Sequence, residues 1–211
     1  MKENNNRSFW QRFAFIYTLF MRQNRKAYAT MCRILSEQTE KKHHVLELAC
    51  GTGQITFPMA GKAAAWTATD FSENMIRKAS ARNNPPAKGL SFQVADATRL
   101  PYADHSFDTV VIANALHIMP EPEKALSEIR RVLKEGGLLF SPTFVYKNQQ
   151  HKTGFAIRLA EKFGFVTYHK WTEAEYVAFV QNHGFPDALG CVISARPTQE
   201  CLITARKNAS A

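Results

Sequence analysis

The chain has 211 residues, 45% hydrophobic and 21% charged, an ordinary globular composition that excludes disordered, collagen-like and low-complexity architectures. That length can bury a full layered core as one large domain without disulfides or metals. Lys and Arg outnumber Asp and Glu by 27 to 18, a net +9, but residues 1–44 hold nine basic and three acidic residues, so the main body is close to neutral.

The first segment reads as an amphipathic helix. Phe9/Trp10, Phe13, Ile16/Tyr17 and Phe20/Met21 recur at three- to four-residue steps, with Arg12, Arg22, Arg25 and Lys26 on the polar side. The apolar run from Phe13 to Met21 is too short to span a bilayer and lacks a signal-peptide cleavage pattern. A second helical stretch runs through Tyr28, Met31, Ile34 and Leu35, and residues 40–44 form a loop. A basic arm of this kind suits phosphates, anionic lipid or an acidic partner, or is simply a solvated face.

From His44 the pattern changes. Val45 to Leu48 is a short buried strand, followed at once by Ala49, Cys50, Gly51, Thr52 and Gly53 and by a helix over Ile55 to Met59. Trp66 to Thr69 is a second strand ending at Asp70; Ser72 caps a helix that buries Met75, Ile76 and Ala79, and Asn83 to Pro86 stop it. Leu90 to Val94 is a third strand ending at Asp96. Phe107 to Ala113 is a continuous apolar strand, as expected where both faces are covered. Pro122 opens a helix with Ala125, Ile129 and Leu133 on one side, ended by Gly136 and Gly137, and a fifth strand starts at Leu138.

After the fifth strand the alternation breaks. Residues 147–186 read as a small cap: a helix over Lys152 to Phe163, an aromatic stretch from Phe165 to Trp171, and a helix opened by a Thr172/Glu175 capping box and ending near His183 and Gly184. Two strands, about Leu189 to Ala195 and Glu200 to Ala205, should pair antiparallel across a turn at Pro197 and Thr198. The expected fold is α/β, a Rossmann-like doubly wound sheet of about seven strands with the last antiparallel, an N-terminal helical lid over 1–43 and the small helical cap. Ligands bind such sheets at the C-terminal ends of the strands.

Those ends carry the chemistry. Small residues at 49, 51 and 53 let the backbone turn sharply and approach a ligand, and the next helix offers free N–H groups. Asp70, 19 residues after Gly51, can accept from both hydroxyls of a ribose. It could instead cap the following helix, a role Ser72 fills better. Asp96 can accept from an adenine amino group while a neighbouring N–H serves the ring. Acidic residues at three strand ends (Glu47, Asp70, Asp96) repel a pyrophosphate and suit a cationic ligand bearing ribose and adenine. A dinucleotide fingerprint would also need a small residue where Thr56 stands.

Together the run from Glu47 to Gly53, the run from Asp70 to Met75, and Asp96-Ala97 with Leu100-Pro101 and Phe107-Asp108 resemble the class I S-adenosylmethionine-dependent methyltransferases, in the branch similar to ubiquinone/menaquinone-biosynthesis enzymes. The resemblance covers roughly residues 44–145 and extends loosely to the final strand pair. It implies that Ala49 to Gly53 cradle the methionine moiety and that Glu47 holds its ammonium through water or the loop backbone. It implies further that Asp70 binds the ribose, Phe71 and Met75 line the adenosine pocket, and Asp96 and Ala97 read adenine. Ala113 and Asn114 would contact the methionine end, and Tyr17 or Phe20 would close the pocket from the lid, the alternative being that the N-terminal helix is ordinary core packing. Ala49 departs from the family's frequent glycine.

Methyl transfer from a sulfonium needs alignment more than acid–base help, so the lack of an evident triad is no objection. Candidate bases are His117, just past the fourth strand, and Tyr168 and His169 in the aromatic stretch; each could equally be a packing residue. His183 sits at a helix C-terminus, where a cation is favourable anyway. No metal site is expected, since Cys32, Cys50, Cys191 and Cys201 show no CxxC spacing; their use fits a reduced, cytoplasmic protein. The Asn/Asp-Pro-Pro-aromatic run of amide and adenine-amino methylases is missing at Asn114, and no RNA-binding module is present, which argues against a nucleic-acid partner. The expected activity is methylation of a small-molecule acceptor by direct in-line displacement. The alternatives are a quinone-like or lipid substrate, with the N-terminal helix touching the membrane surface, and a non-catalytic cofactor-binding subunit. The acceptor atom and the oligomeric state stay open.

Overall fold

The structure is a computed structural model and describes residues 24–147, 165–193 and 199–208. The amphipathic stretch with Tyr17 and Phe20, the helix expected over 152–163 and the turn at Pro197 and Thr198 lie outside the described residues.

In chain order the elements are α1 (Arg25–Gln38), β1 (His44–Leu48), α2 (Thr56–Met59), β2 (Ala65–Asp70), α3 (Glu73–Arg82), β3 (Leu90–Val94), β4 (Phe107–Ile112), α4 (Pro122–Val132), β5 (Leu133–Val145), α5 (Glu173–Asn182), β6 (Leu189–Ile193) and β7 (Gln199–Arg206). They build one seven-stranded sheet in the order β3-β2-β1-β4-β5-β7-β6. Neighbours from β3 to β5 are parallel, and β7 is antiparallel to both β5 and β6. This is the doubly wound sheet with a reversed last strand that the alternation of elements predicts.

Each face of the sheet carries its own core. On one face α1 buries Ala27, Met31 and Leu35 and α2 buries Met59, against Val45, Trp66, Val111, Phe140 and Leu202; Ile76 of α3 packs on the same cluster. On the other, α4 buries Ala125, Leu126, Ile129 and Val132, and α5 buries Tyr176 and Val180, against Leu46, Val110, Ile112, Leu139 and Ile203. The alternation along β7 shows the logic: Cys201, Ile203 and Ala205 serve one face and Leu202 the other. The Thr172 capping box is formed, with Glu175 N–H donating to Thr172 Oγ1 and Thr172 N–H to Glu175 Oε2. Its helix lies against the sheet, where the Tyr176 hydroxyl meets Ser141 Oγ at 2.6 Å. Ser72 caps α3 by accepting from Met75 N–H.

One boundary differs from expectation. Gly136 and Gly137 do not end the helix; α4 stops at Val132 and β5 begins at Leu133, five residues earlier than its expected start. Phe107 pairs with Leu133 and Thr109 with Leu138, so β5 makes a bulge between these pairings. Gly136 takes the positive φ of 71° that the bulge requires. The C-terminal end of β7 clamps it: Gly136 N–H donates to Lys207 O, Lys207 N–H to Gly137 O, and buried Lys207 Nζ to Leu133 O at 2.9 Å. The helix after the glycine loop is also short, a single α-turn followed by a 3-10 turn over Ala60–Lys62.

Candidate ligand site at the strand ends

Buried β1 delivers the chain to a tight loop in which Ala49, Gly51 and Gly53 all have positive φ, at 52°, 57° and 88°. A side chain at Gly53 would collide with the Phe57 ring. The loop is pinned to the end of β2: Cys50 N–H donates to Thr69 O, Gly51 N–H to Asp70 Oδ2 at 2.9 Å, and Ser72 N–H to Asp70 Oδ1 at 2.8 Å. Asp70 thus ties two loops together, and burial pushes its carboxyl up to about 6.

Above this loop is a cavity of about 260 Å³ at the C-terminal edge of the sheet. Its walls include Ala49 and Gly51 after β1, Asp70, Phe71 and Met75 after β2, Asp96 and Ala97 after β3, and Ala113 and Asn114 after β4. These sites, 47 residues apart between Ala49 and Asp96 in sequence, converge because parallel strands bring their C-terminal ends to one edge. Among the described residues the wall holds the carboxylates Asp70, Asp96 and Glu121 and neither Lys nor Arg. Asp96 is exposed, and its Oδ1 accepts from Thr98 N–H and Oγ1 at 2.8 and 2.7 Å.

Other expected residues lie off the wall. Cys50 and Thr52 are buried in the loop behind it. Glu47 is turned into the core, where Oε2 accepts from Thr56 Oγ1 at 2.6 Å and Trp66 Nε1 at 2.8 Å. Burial pushes its carboxyl up to about 7. His117 lies in a buried 3-10 turn with Nδ1 2.8 Å from Thr143 Oγ1, and burial drives its pKa down to about 3, so the ring is neutral. The backbone joins it to His169, whose N–H donates to His117 O, while the His169 ring stacks on Trp171 at 4.9 Å. Tyr168 is exposed. None of these three candidates is among the described residues that line the cavity.

Two features escaped the sequence reading. Ile118, the last residue of the 3-10 turn, with Met119 and Pro120 after it, completes an apolar wall. Glu200, fully buried on β7, accepts from Asn114 Nδ2 at 2.8 Å. The available signal was a charge at the head of an apolar run, Glu200 before Cys201, Leu202 and Ile203.

The lining tests what could bind. A pyrophosphate would meet carboxylates and no cation, whereas a sulfonium nucleoside carries positive charge, ribose hydroxyls and an adenine, each matched by a wall group. The residues therefore fit S-adenosylmethionine. Among the described residues no group of His, Cys, Asp and Glu could hold a metal ion.

Residues 46–141 match the family model described as a methyltransferase domain. The chain is 43% identical over 100 residues to the demethylmenaquinone methyltransferase of Renibacterium salmoninarum, 47% of this chain and 40% of that one. The chain thus spans well under half the length of that relative. Among solved structures, a SAM-dependent methyltransferase from Thermotoga maritima superposes with a TM-score of 0.72 at 21% identity, over 95% of this chain and 99% of that one. The [4+2]-cyclase SpnF also superposes, with a TM-score of 0.72 at 21% identity, over 86% of this chain and 81% of that one.

Proposed function

We propose, from the premise that this chain carries a class I S-adenosylmethionine-dependent methyltransferase domain, that it transfers the cofactor's methyl group to a small-molecule acceptor by direct in-line displacement. The observation that carries the reading is the wall with Asp70 and Asp96 at successive strand ends and, among the described residues, no cation. Asp70 takes the ribose hydroxyls, and Asp96 with Ala97 N–H reads the adenine edge. Phe71 and Met75 flank the nucleoside, and the loop from Ala49 to Gly53, held by Asp70, lets the methionine approach the backbone. The cofactor supplies an electrophilic methyl on a good leaving group. The chain's task is then alignment, worth roughly 7–11 kcal/mol when reacting groups are held in line. In the same proposal the lid, with Tyr17, is the part of 1–43 that precedes α1, and the cap the part of 147–186 that precedes α5, since α1 and α5 themselves pack on the sheet faces.

Calorimetric titration with S-adenosylmethionine, S-adenosylhomocysteine and NADH tests this. Binding of the two sulfur nucleosides and not of NADH is expected; the reverse pattern overturns it. A second reading, a quinone-like acceptor at a membrane surface, is favoured by the demethylmenaquinone methyltransferase relative. No described helix is long and apolar enough to cross a membrane. Transfer of labelled methyl to a reduced naphthoquinone, stimulated by lipid vesicles, would support that reading. The SpnF likeness shows that the fold alone does not fix the reaction.

A further inference from the structure

The sheet order gives the ligand edge a direction. The cavity wall takes Asp96 from the end of β3, then Asp70 from β2, Ala49 from β1 and Asn114 from β4. Beyond β4 come β5 and β7. Because β7 is antiparallel, its first residues lie beside the last residues of β5, with Glu200 opposite Phe144. Glu200 is fully buried, and its Oε1 accepts from Asn114 Nδ2 at 2.8 Å; the same nitrogen lies 3.3 Å from Tyr28 Oη. Among the described residues the pair leaves two buried acceptors with no donor, Glu200 Oε2 and Asn114 Oδ1. Buried polar atoms without partners are rare in native proteins, and each asks for an explanation. Asn114 also holds a positive φ of 54°, a conformation a non-glycine residue adopts at a cost.

We propose that Asn114 and Glu200 together recognise the methyl acceptor, and that the acceptor is an amine. The inference rests on the cofactor reading above. With adenine and ribose over β3 and β2 and the methionine at β1 and β4, the acceptor comes next, on the side of β5 and β7. Two neighbouring orphan acceptors call for two donors. An ammonium or amine offers at least two N–H groups, a phenol or alcohol one, and a carbon nucleophile none. A carboxylate further favours a cation through a charge-assisted hydrogen bond. Burial raises the Glu200 carboxyl to about 7, opposed by the Asn114 hydrogen bond, and a bound ammonium would draw it back to the ionised form. An ammonium must lose a proton before its nitrogen can attack. Glu200 Oε2 accepts that proton, and the N–H electron pair stays on nitrogen as the attacking lone pair.

The test uses protein saturated with S-adenosylhomocysteine and titrated by calorimetry at pH 8 with benzylamine and, separately, benzyl alcohol. Benzylamine is expected to bind at least about tenfold more tightly. Glu200→Gln keeps the oxygen that accepts from Asn114; it should abolish this preference and leave S-adenosylhomocysteine affinity within about twofold. Equal affinities, no benzylamine binding to the loaded protein, or a preference that survives in the folded variant each overturn the proposal. If the variant does not fold, carbon-13 NMR of the wild-type Glu200 carboxyl decides: benzylamine should lower its midpoint, and an unmoved midpoint overturns the assignment. Loss of S-adenosylhomocysteine binding in the wild type would instead remove the cofactor reading and this inference with it.

Discussion

Two buried glutamates, one on β1 and one on β7, carry the same perturbation and opposite wiring. Glu47, on β1, and Glu200, on β7, are both pushed up to about 7 by burial. Glu47 accepts from an indole N–H and a hydroxyl and joins β1, β2 and α2. Glu200 accepts from one amide and, among the described residues, finds no donor for Oε2. A raised carboxyl pKa alone therefore does not mark function; what distinguishes the two is whether the surrounding chain has already supplied the donors. Glu47 is wired as structure, whereas Glu200, among the described residues, keeps an acceptor to fill.

The largest effect expected is structural. Glu47→Ala strands the Trp66 N–H and the Thr56 hydroxyl in a dry core and should remove about 3 kcal/mol of stability, whereas Glu200→Gln should remove less than about 1 kcal/mol. Urea unfolding of the two variants side by side measures both, and equal losses would break the contrast.

The next effect falls on ligand affinity. Asp70→Ala deletes the carboxylate proposed for the ribose and the acceptor of Gly51 and Ser72 N–H. S-adenosylmethionine binding should weaken by roughly 1.5–3 kcal/mol. Unchanged affinity in a folded variant would remove Asp70 from the site.

pH sharpens the comparison further. The carboxyls of Glu47 and Asp70 titrate higher folded than unfolded, so the folded state holds more protons between about 4 and 7. Stability should therefore fall as pH rises through that window and level off above it. Glu47→Gln should flatten the slope of melting temperature against pH; an unaltered slope would mean that the folded carboxyl is not raised.

The smallest effect concerns Ala49. Its φ of 52° strains a non-glycine residue by about 1–2 kcal/mol, and glycine returns most of that as unfolded-state entropy. Ala49→Gly should stabilise by less than about 1 kcal/mol in thermal melts; destabilisation would show that the Ala49 methyl packs usefully against the core.

The parts legible in the sequence were those fixed by local pattern. Apolar runs ending in Asp70 and Asp96 marked strands and their ligand-bearing ends, and Ser72 and Thr172 marked helix starts by side-chain chemistry that reaches only three residues. The bulge of β5 was not legible, because Gly136 and Gly137 between a helix and a strand look like a helix stop. Their actual partner is Lys207, about 70 residues away. The Asn114–Glu200 hydrogen bond spans 86 residues and depends on which strand β7 joins. For Glu47 the pattern shows a buried strand end, while its hydrogen bonds from Thr56 and Trp66 depend on how α2 and β2 pack beside β1 and are not legible in it.

The reversal of β7 has a practical side. A parallel last strand would bring its final residues to the ligand edge, and anything attached there would crowd the opening. In this chain the strand enters at that edge with Glu200 and leaves at the far one, where Arg206 pairs with Leu138 and Lys207 grips the β5 bulge. A reporter, an affinity handle or a surface tether joined after Asn208 would hang from the floor of the sheet. It would leave the mouth of the cavity clear, provided Lys207 keeps its hold.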